Sequence, residues 1–532
     1  MSEEQNVYDV VVIGGGPGGA MSGTLLADFG KRVLILESAT FPRYHIGESL
    51  LSGTADLLAK IGVLDRLEAD GYIKKYGVEW VWGANREPWA VYFKDALAMP
   101  YDYGYQVERG AFDALLLDNA AEHGAQVRHG HRVTDFDLQD YDRTGLATVT
   151  VADGVGGSTT LRTRWIVDAS GQGGTVTKRL HSQQWDPYLR NMAVWTYWQG
   201  ALRPPGLDAG NTFLPTFDDG WWWFIPLRDD RTSVGVVVDA QTLQDRREMG
   251  LEAFYAECLD RTPELRARLE GATRVDEIHA ARDWSYTYDR FAGDGYIAVG
   301  DAACFIDPLF STGVHLAMLS GFLAAVTVNT ILDGADVEPA RALSFYESAY
   351  RREFERLRAQ VYFLYSGHGG SKDSYFWHAR SQFDVPGLDP EKAFISLIAG
   401  AFTHRSWYSR YLGHLNVPGE LRGTIEQIFD GKATGVGVHS AQQLTHAADL
   451  QIVEDLAVDG PHLRSARSVC AAAGISLPLT SAIETLLDAA DGVRNSEELV
   501  AEVMARSGCS RESAQSLVHE AVSYGLLQPA GE

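Results

Sequence analysis

The first forty residues alternate apolar runs with a glycine-rich break. Tyr8 to Ile13 is β-branched and apolar, Gly14-Gly-Gly16-Pro-Gly-Gly19 follows, a periodic apolar stretch runs to Phe29 and Gly30, and a second run spans Arg32 to Leu36. This order predicts strand, turn, helix and strand. The strand-then-turn pattern returns at Trp165–Val167, before Asp168-Ala-Ser-Gly171, and at Tyr296–Val299, before Gly300-Asp301, so the domain they build is expected to be discontinuous. Between these returns, alternating positions at Met192–Trp198 and Thr232–Val238 predict half-buried strands of a second sheet. Helical periodicity follows from about 335 to 455, with aromatic clusters at Tyr362–Tyr365 and Trp407–Tyr411. The tail to Glu532, punctuated by Gly474, Gly492 and Gly508, predicts a small helical, winged-helix-like module.

The expected class is α/β. A Rossmann-like βαβ domain occupies 1–180 and 291–335, a mixed β-sheet substrate domain is inserted at 181–290, a helical extension covers 336–455, and the module covers 456–532. With 532 residues, 45% of them hydrophobic, the chain can bury a core of that size. A net charge of -25 repels phosphate backbones and excludes nucleic acid as a partner. Cys258, Cys304, Cys470 and Cys509 have neither metal-ligand nor redox spacing and are expected to be reduced thiols in a cytoplasm. The start, MSEEQNVYDVVVIGGG, lacks the features of a signal peptide. The uncharged stretch His315–Leu332 approaches the length of a membrane span but carries Ser, Thr, Asn and Gly, which predicts a buried helix and no span.

The chemistry begins at the glycine turn. A strand, then glycines, then a helix lets the backbone approach a pyrophosphate, whose charge sits on the helix amino terminus. Glu37 ends the second strand, where a carboxylate meets ribose hydroxyls. A dinucleotide follows; which one does not. Three further segments narrow the choice: FPRYHIGESL at 41–50, QVERGAFDALL around Arg109, and GDAACFIDPLFSTG from Gly300. Together they resemble the FAD-dependent monooxygenase and halogenase superfamily. That resemblance implies a GR2-type FAD-binding domain, with Gly14, Gly16 and Gly19 at the pyrophosphate, Glu37 at the adenosine ribose and Asp301 at the ribityl chain. Ser38, Arg43, Glu48, Ser49, Arg109 and Gly313 join the cofactor contacts on the same ground.

Thirteen Trp are more than a core needs, and three stand together in Gly220-Trp221-Trp222-Trp223-Phe224-Ile225-Pro226. Trp221, Trp223, Ile225 and Pro226 meet the Trp-x-Trp-x-Ile-Pro marker of the flavin-dependent halogenases, which the chain resembles here. Bulky indoles beside a flavin would keep an organic substrate from its hydroperoxide while admitting a small anion, so that chloride rather than substrate is oxidised. Gly71-Tyr-Ile-Lys74-Lys75-Tyr-Gly77 matches the family's segment around its essential lysine, at Lys75 with Lys74 as competitor. An ammonium there could hydrogen-bond hypochlorous acid, and a lowered pKa would instead allow a chloramine. Phe305-Ile-Asp-Pro308-Leu-Phe310-Ser311-Thr312-Gly313 fits Phe-x-x-Pro-x-x-Ser-x-Gly, which implies a catalytic Ser311 and a halide site on the amides of Thr312 and Gly313. Tryptophan halogenases carry Glu where this chain has Phe310, so the resemblance is to the phenolic and carrier-protein-associated branch.

The expectation is an FADH2-dependent halogenase. It uses O2 and chloride, receives reduced FAD from a separate flavin reductase, and chlorinates a phenolic or pyrrolic substrate in natural-product biosynthesis. The basic run Tyr350-Arg351-Arg352-Glu-Phe-Glu-Arg356-Leu-Arg358 is a candidate face for an acidic carrier protein holding that substrate. Asp283 raises a covalent tether to the flavin, as some relatives have. Two rivals stand beside this reading: a single-component NAD(P)H aromatic hydroxylase or related flavin reductase, and a flavin-binding scaffold without catalysis.

Overall fold

The computed structural model describes residues 7–82, 88–95, 101–366, 443–470, 476–523 and 526–530. The Trp407–Tyr411 cluster, Gly474 and most of the 336–455 stretch lie outside the described residues. Val7–Ile13 sits inside a parallel arrangement, flanked by Val33–Leu36 on one side and Ser158–Asp168 on the other. Tyr296–Ala298 continues it beyond Ser158–Asp168, and Gln126–Arg128 beyond Val33–Leu36. The β-branched runs are continuous rather than alternating because both faces of a parallel sheet are covered. Register aligns Ile13 with Asp168 and Asp168 with Ala298. The loops leaving these three strands therefore open at one edge, where such sheets bind ligands.

Two helices start at that edge, Pro17–Asp28 and Gly313–Leu332, and they cross at backbone contact. A Cβ on Gly18 would stand 2.9 Å from the carbonyl oxygen of Ala317, and one on Gly321 would stand 2.6 Å from that of Gly18. Gly313–Leu332 is, among the described residues, the one helix long and apolar enough to cross a membrane, and 78% of its apolar window is buried inside the protein. It is the core helix that its Ser, Thr and Asn content predicts.

The second sheet is antiparallel around the Trp strand. Gly220–Pro226 is buried throughout and lies between Thr212–Phe217 and Arg231–Asp239, followed by Gln183–Gln199 and His279–Tyr288. Its far edge is supplied from earlier in the chain: Gly77–Val81 runs parallel to Thr212–Phe217, and Pro88–Tyr92 pairs with Gly77–Val81. The sheet thus draws on residues well outside 181–290, and this brings the Lys74-Lys75 segment to it.

Beyond the core, the helix Pro339–Ser366 packs against Gly313–Leu332. Helical periodicity expected up to 455 gives way to strands at Gln443–His446 and Gln451–Asp459, the latter forming a hairpin with His462–Cys470. Only Leu456 is buried along Gln451–Asp459, so the apolar pattern there is too sparse to declare its period. The hairpin docks on the core helix, with the Leu463 amide donating to Thr330 Oγ1 at 2.8 Å and Asn329 Nδ2 to the Pro461 carbonyl at 2.9 Å. The last helices, Ser481–Ala489, Ser496–Ser507 and Arg511–Ser523, enclose their own core with a three-stranded sheet.

A methyl at the helix crossing should force the two amino termini apart. Gly321→Ala is expected to lose about 1–3 kcal/mol by overpacking. Thermal melting checks this, and an unchanged Tm would mean the contact constrains nothing.

Candidate active site

The strand-end loops, the inner face of the second sheet and the start of the Gly313–Leu332 helix enclose a cavity of about 740 Å3. Gly14 has φ +102° and a Cβ there would lie 2.3 Å from the Ala169 carbonyl oxygen, so the turn admits only glycine. Gly16 precedes the Pro17–Asp28 helix, whose first turn has no acidic residue and no side-chain cap, leaving its amides for an anion. The Arg43 guanidinium stands over Gly16, with Nη2 3.5 Å from where a Cβ would be. Glu37 accepts from the amides of Gly15 (2.8 Å) and Ala39 (2.7 Å), which fixes its carboxylate on the cavity wall with Ser38 beside it. Free amides, a guanidinium and a held carboxylate are the donor and acceptor set of a dinucleotide, so the residues fit FAD. Gly19 does not line the cavity; a Cβ there would fall 2.0 Å from the Gly14 carbonyl oxygen, so its smallness closes the turn.

Arg109 reaches the cavity from the helix Arg109–Glu122 and clamps the 41–50 segment. Nε and Nη2 donate to the two Asp113 oxygens at 2.7 and 3.0 Å, and Nη1 donates to the Ile46 carbonyl at 2.8 Å. Asp301 lines the same space, and burial pushes its carboxyl up to about 6 against the opposing pull of Arg109. Asp283 is also on the wall, its carboxyl raised by burial and by the neighbouring Asp307 and Asp301.

Strand alternation sorts the three tryptophans. Trp221, Trp223 and Ile225 face the cavity, whereas Trp222 points to the opposite core, donating to Thr262 Oγ1 at 3.0 Å. Pro226 ends the strand off the cavity wall. The two facing indoles are tied down. Trp221 Nε1 donates to the Tyr365 hydroxyl at 2.8 Å, and Tyr365 donates to Asp307 Oδ2 at 3.2 Å, which also receives Asn191 Nδ2 at 2.8 Å. Trp223 Nε1 donates to Ser233 Oγ at 3.1 Å, and its ring covers Gly235, where a Cβ would lie 2.2 Å away.

The turn before the core helix is strained. Ser311 has φ +59°, uncommon for a residue with a side chain, and its amide donates to the Pro308 carbonyl at 3.0 Å. Thr312 then precedes the helix without a side-chain cap, and no acid occupies the first turn. Ser311, Thr312 and Gly313 all line the cavity, so this second amino terminus also offers uncommitted amides to an anion. Phe310 packs against Trp80 at 6.0 Å between centroids, and Trp80 against Trp82 at 5.5 Å.

The adjacent lysines part company. On Ile73–Lys75, Lys74 turns outward to an ion pair with Glu68 at 2.7 Å over the Tyr103 ring. Lys75 turns inward, 1% exposed, and its Nζ donates to Ser49 Oγ at 2.8 Å. Ser49 lies on the cavity wall and contacts Thr212 Oγ1 at 3.0 Å, itself a 2.9 Å acceptor for Gln106 Nε2. Lys75 thus stands one side chain behind the wall, and burial alone brings its ammonium down to about 7. Asn191, Tyr365 and Tyr197, whose hydroxyl donates to Oε1 of the wall residue Glu48 at 2.8 Å, belong to the site without having been singled out in the sequence; Tyr365 lay in a visible aromatic cluster, but nothing in the sequence aimed it at Trp221.

The tryptophan halogenase family model matches residues 9–99 and 94–425. The chain belongs to the tryptophan halogenase family. It is 36% identical over 401 residues to a tryptophan 2-halogenase of Chondromyces crocatus, covering 74% of this chain and 75% of the relative. It is 35% identical over 359 residues to the sulochrin halogenase of Aspergillus terreus, covering 63% and 65%. Among solved structures, the flavin-dependent halogenase CmlS superposes with a TM-score of 0.80 at 31% identity, over 98% of this chain and 95% of that one. The myxobacterial chondrochloren halogenase CndH gives 0.68 at 35% identity, over 80% and 97%. This protein is therefore a flavin-dependent halogenase, and the residues of the cradle described above fit the FAD such an enzyme uses.

Lys75 gives this halogenase a pH signature. With a folded pKa of about 7, below its ordinary 10.5, the unfolded chain binds one proton more between those values. The group costs stability below pH 7 and regains it as pH rises. In Lys75→Met the slope of unfolding free energy against pH between 7.5 and 10 should fall by about 1.4 kcal/mol per pH unit relative to the parent. Denaturant titrations of both proteins measure it, and equal slopes would show that the amine is not desolvated.

Proposed function

We propose that this halogenase chlorinates an electron-rich phenolic or pyrrolic ring, with FAD delivered in reduced form by a separate flavin reductase. Reduced FAD and O2 supply the oxidation of chloride to hypochlorous acid. The chain's own residues do the rest. Thr312 and Gly313 present amides to the chloride, and the strained Ser311 turn aims them. Trp221 and Trp223 wall the cofactor from the organic substrate with indoles whose nitrogens are both engaged.

The observation that carries this reading is the Lys75 amine. It is buried, hydrogen-bonded to Ser49, and has no carboxylate at ion-pair distance among the described residues. A cation left without a counter-ion inside a protein is expensive, and such groups cluster at functional sites. Through Ser49 its proton is one step from the cavity, where it would polarise the oxygen of hypochlorous acid and make chlorine more electrophilic.

Phe310 supports a phenol or pyrrole over free tryptophan, because the position offers an aromatic face against Trp80 and no carboxylate. The relatives' names divide on this, one carrying tryptophan and another sulochrin. A carrier-bound substrate has less behind it. On the basic helix face Arg351 pairs with Glu347, Arg356 with Glu353, and Arg358 with Glu355 and Asp186, which among the described residues leaves Arg352 as its exposed cation. Cys258, Cys304, Cys470 and Cys509 are free thiols, in keeping with a cytoplasmic setting.

Mixed with a flavin reductase, NADH, FAD and chloride, the protein should chlorinate phenols in preference to tryptophan. Lys75→Ala should lower that rate by about 10²-fold or more while FAD binding persists. Halide-independent oxygenation with NADPH and no reductase would falsify the reading, and an undiminished Lys75→Ala rate would remove the lysine from it.

A further inference from the structure

The cavity must import a proton. Reduced flavin, O2, chloride and one proton become oxidised flavin, water and hypochlorous acid; O2 takes two electrons from the flavin and two from chloride. The later step, in which hypochlorous acid and the ring give chloroarene and water, needs none. One proton per turnover must therefore cross from solvent into a space walled by indoles.

We propose that Glu48 is the acid that delivers this proton, recharged from solvent through Tyr197 and Tyr44. The inference rests on the halogenase chemistry proposed above. Glu48 is 3% exposed and lines the cavity. Its Oε1 accepts from the Tyr197 hydroxyl at 2.8 Å, whereas Oε2 is buried with no hydrogen-bond partner. A bare carboxylate oxygen in the interior is costly, but the same oxygen carrying a proton is a donor awaiting an acceptor. Tyr197 is itself buried, and its hydroxyl lies 3.0 Å from that of Tyr44, which is 53% exposed. Tyr44 is held at the surface end by the Trp195 indole nitrogen and by stacking on His279 at 5.0 Å. Three side chains thus join solvent to the cavity in an unbroken line of oxygens.

The transfer balances. The Oε2–H bond of Glu48 breaks as an O–H bond forms on the oxygen that leaves as water. The Tyr197 proton passes to Oε1, the Tyr44 proton to Tyr197, and a solvent proton to Tyr44. A half-turn of the carboxyl restores the start, and no electrons move.

The surroundings keep the acid protonated near neutrality. Burial pushes Glu48 up to about 7, the neighbouring Ser233 hydroxyl and the Tyr197 hydrogen bond pull it down, Glu108 raises it and Arg109 lowers it. Arg231 lies over the Tyr197 ring at 4.5 Å, and Asp276 and His279 face Tyr44. A carboxylate serving only to contact the cofactor would need neither hydroxyl.

Tyr197→Phe removes one oxygen of the line and keeps the ring. Infrared spectra of the protein without cofactor should contain a protonated-carboxyl band that titrates near pH 7, disappears in Glu48→Gln and shifts in Tyr197→Phe. In turnover, Tyr197→Phe should lose about 10-fold or more above pH 7, with a larger solvent deuterium isotope effect, FAD affinity unchanged, and rescue by a small weak acid such as formic acid. Tyr44→Phe should behave likewise, and because both variants leave Lys75 intact its own titration cannot mimic the effect. A band that survives Glu48→Gln, or Tyr197→Phe with parental rates and pH profile, overturns the proposal. Should no arene be chlorinated at all, the functional reading fails, and the infrared band still decides the state of Glu48.

Discussion

Everything at the site depends on one close approach, the crossing of the helices Pro17–Asp28 and Gly313–Leu332 through Gly18 and Gly321. Each helix begins at the open edge of the parallel sheet, and each begins without an acid or a side-chain cap. Because their backbones touch, two positive dipole ends enter one cavity. One suits a pyrophosphate and the other a halide. Larger side chains at the crossing would push these two helix ends apart.

The second constraint is desolvation. Ser49 and Glu48 are consecutive, and each anchors a buried ionisable group: Ser49 receives Lys75 Nζ, and Glu48 is itself the acid. Burial lowers the amine and raises the carboxyl, so both arrive at about 7 from opposite directions. No ion pair between them is formed, which leaves each in exchange between charged and neutral forms at the pH of a cell. An ion pair would have locked both charges in place and silenced both.

The parallel sheet was legible because β-branched runs and glycine turns are local signals. Tyr8–Ile13, Arg32–Leu36, Trp165–Val167 and Tyr296–Val299 all became neighbouring strands. The choice between Lys74 and Lys75 was not legible, since it depends on which face of a three-residue strand meets Ser49. Nor was Tyr365, whose role follows from a contact 144 residues away in sequence with Trp221. Residues 451–459 misled because a strand with one buried side chain has no readable period. What a sequence withholds here is the facing of side chains across elements that share no local pattern.

The Trp strand carries a different kind of fragility. Its neighbours pin it on both sides, with Phe217 opposite Gly220 and Gly235 opposite Trp223. Because successive residues face opposite ways, a one-residue slip in the register of this strand would present Trp222 to the cavity and send its two neighbours into the other core. Substitutions can retune this wall by degrees, but length changes can cross it only in steps of two. Lineages of such enzymes should therefore vary freely in what surrounds this strand while keeping its residue count as an inherited parity.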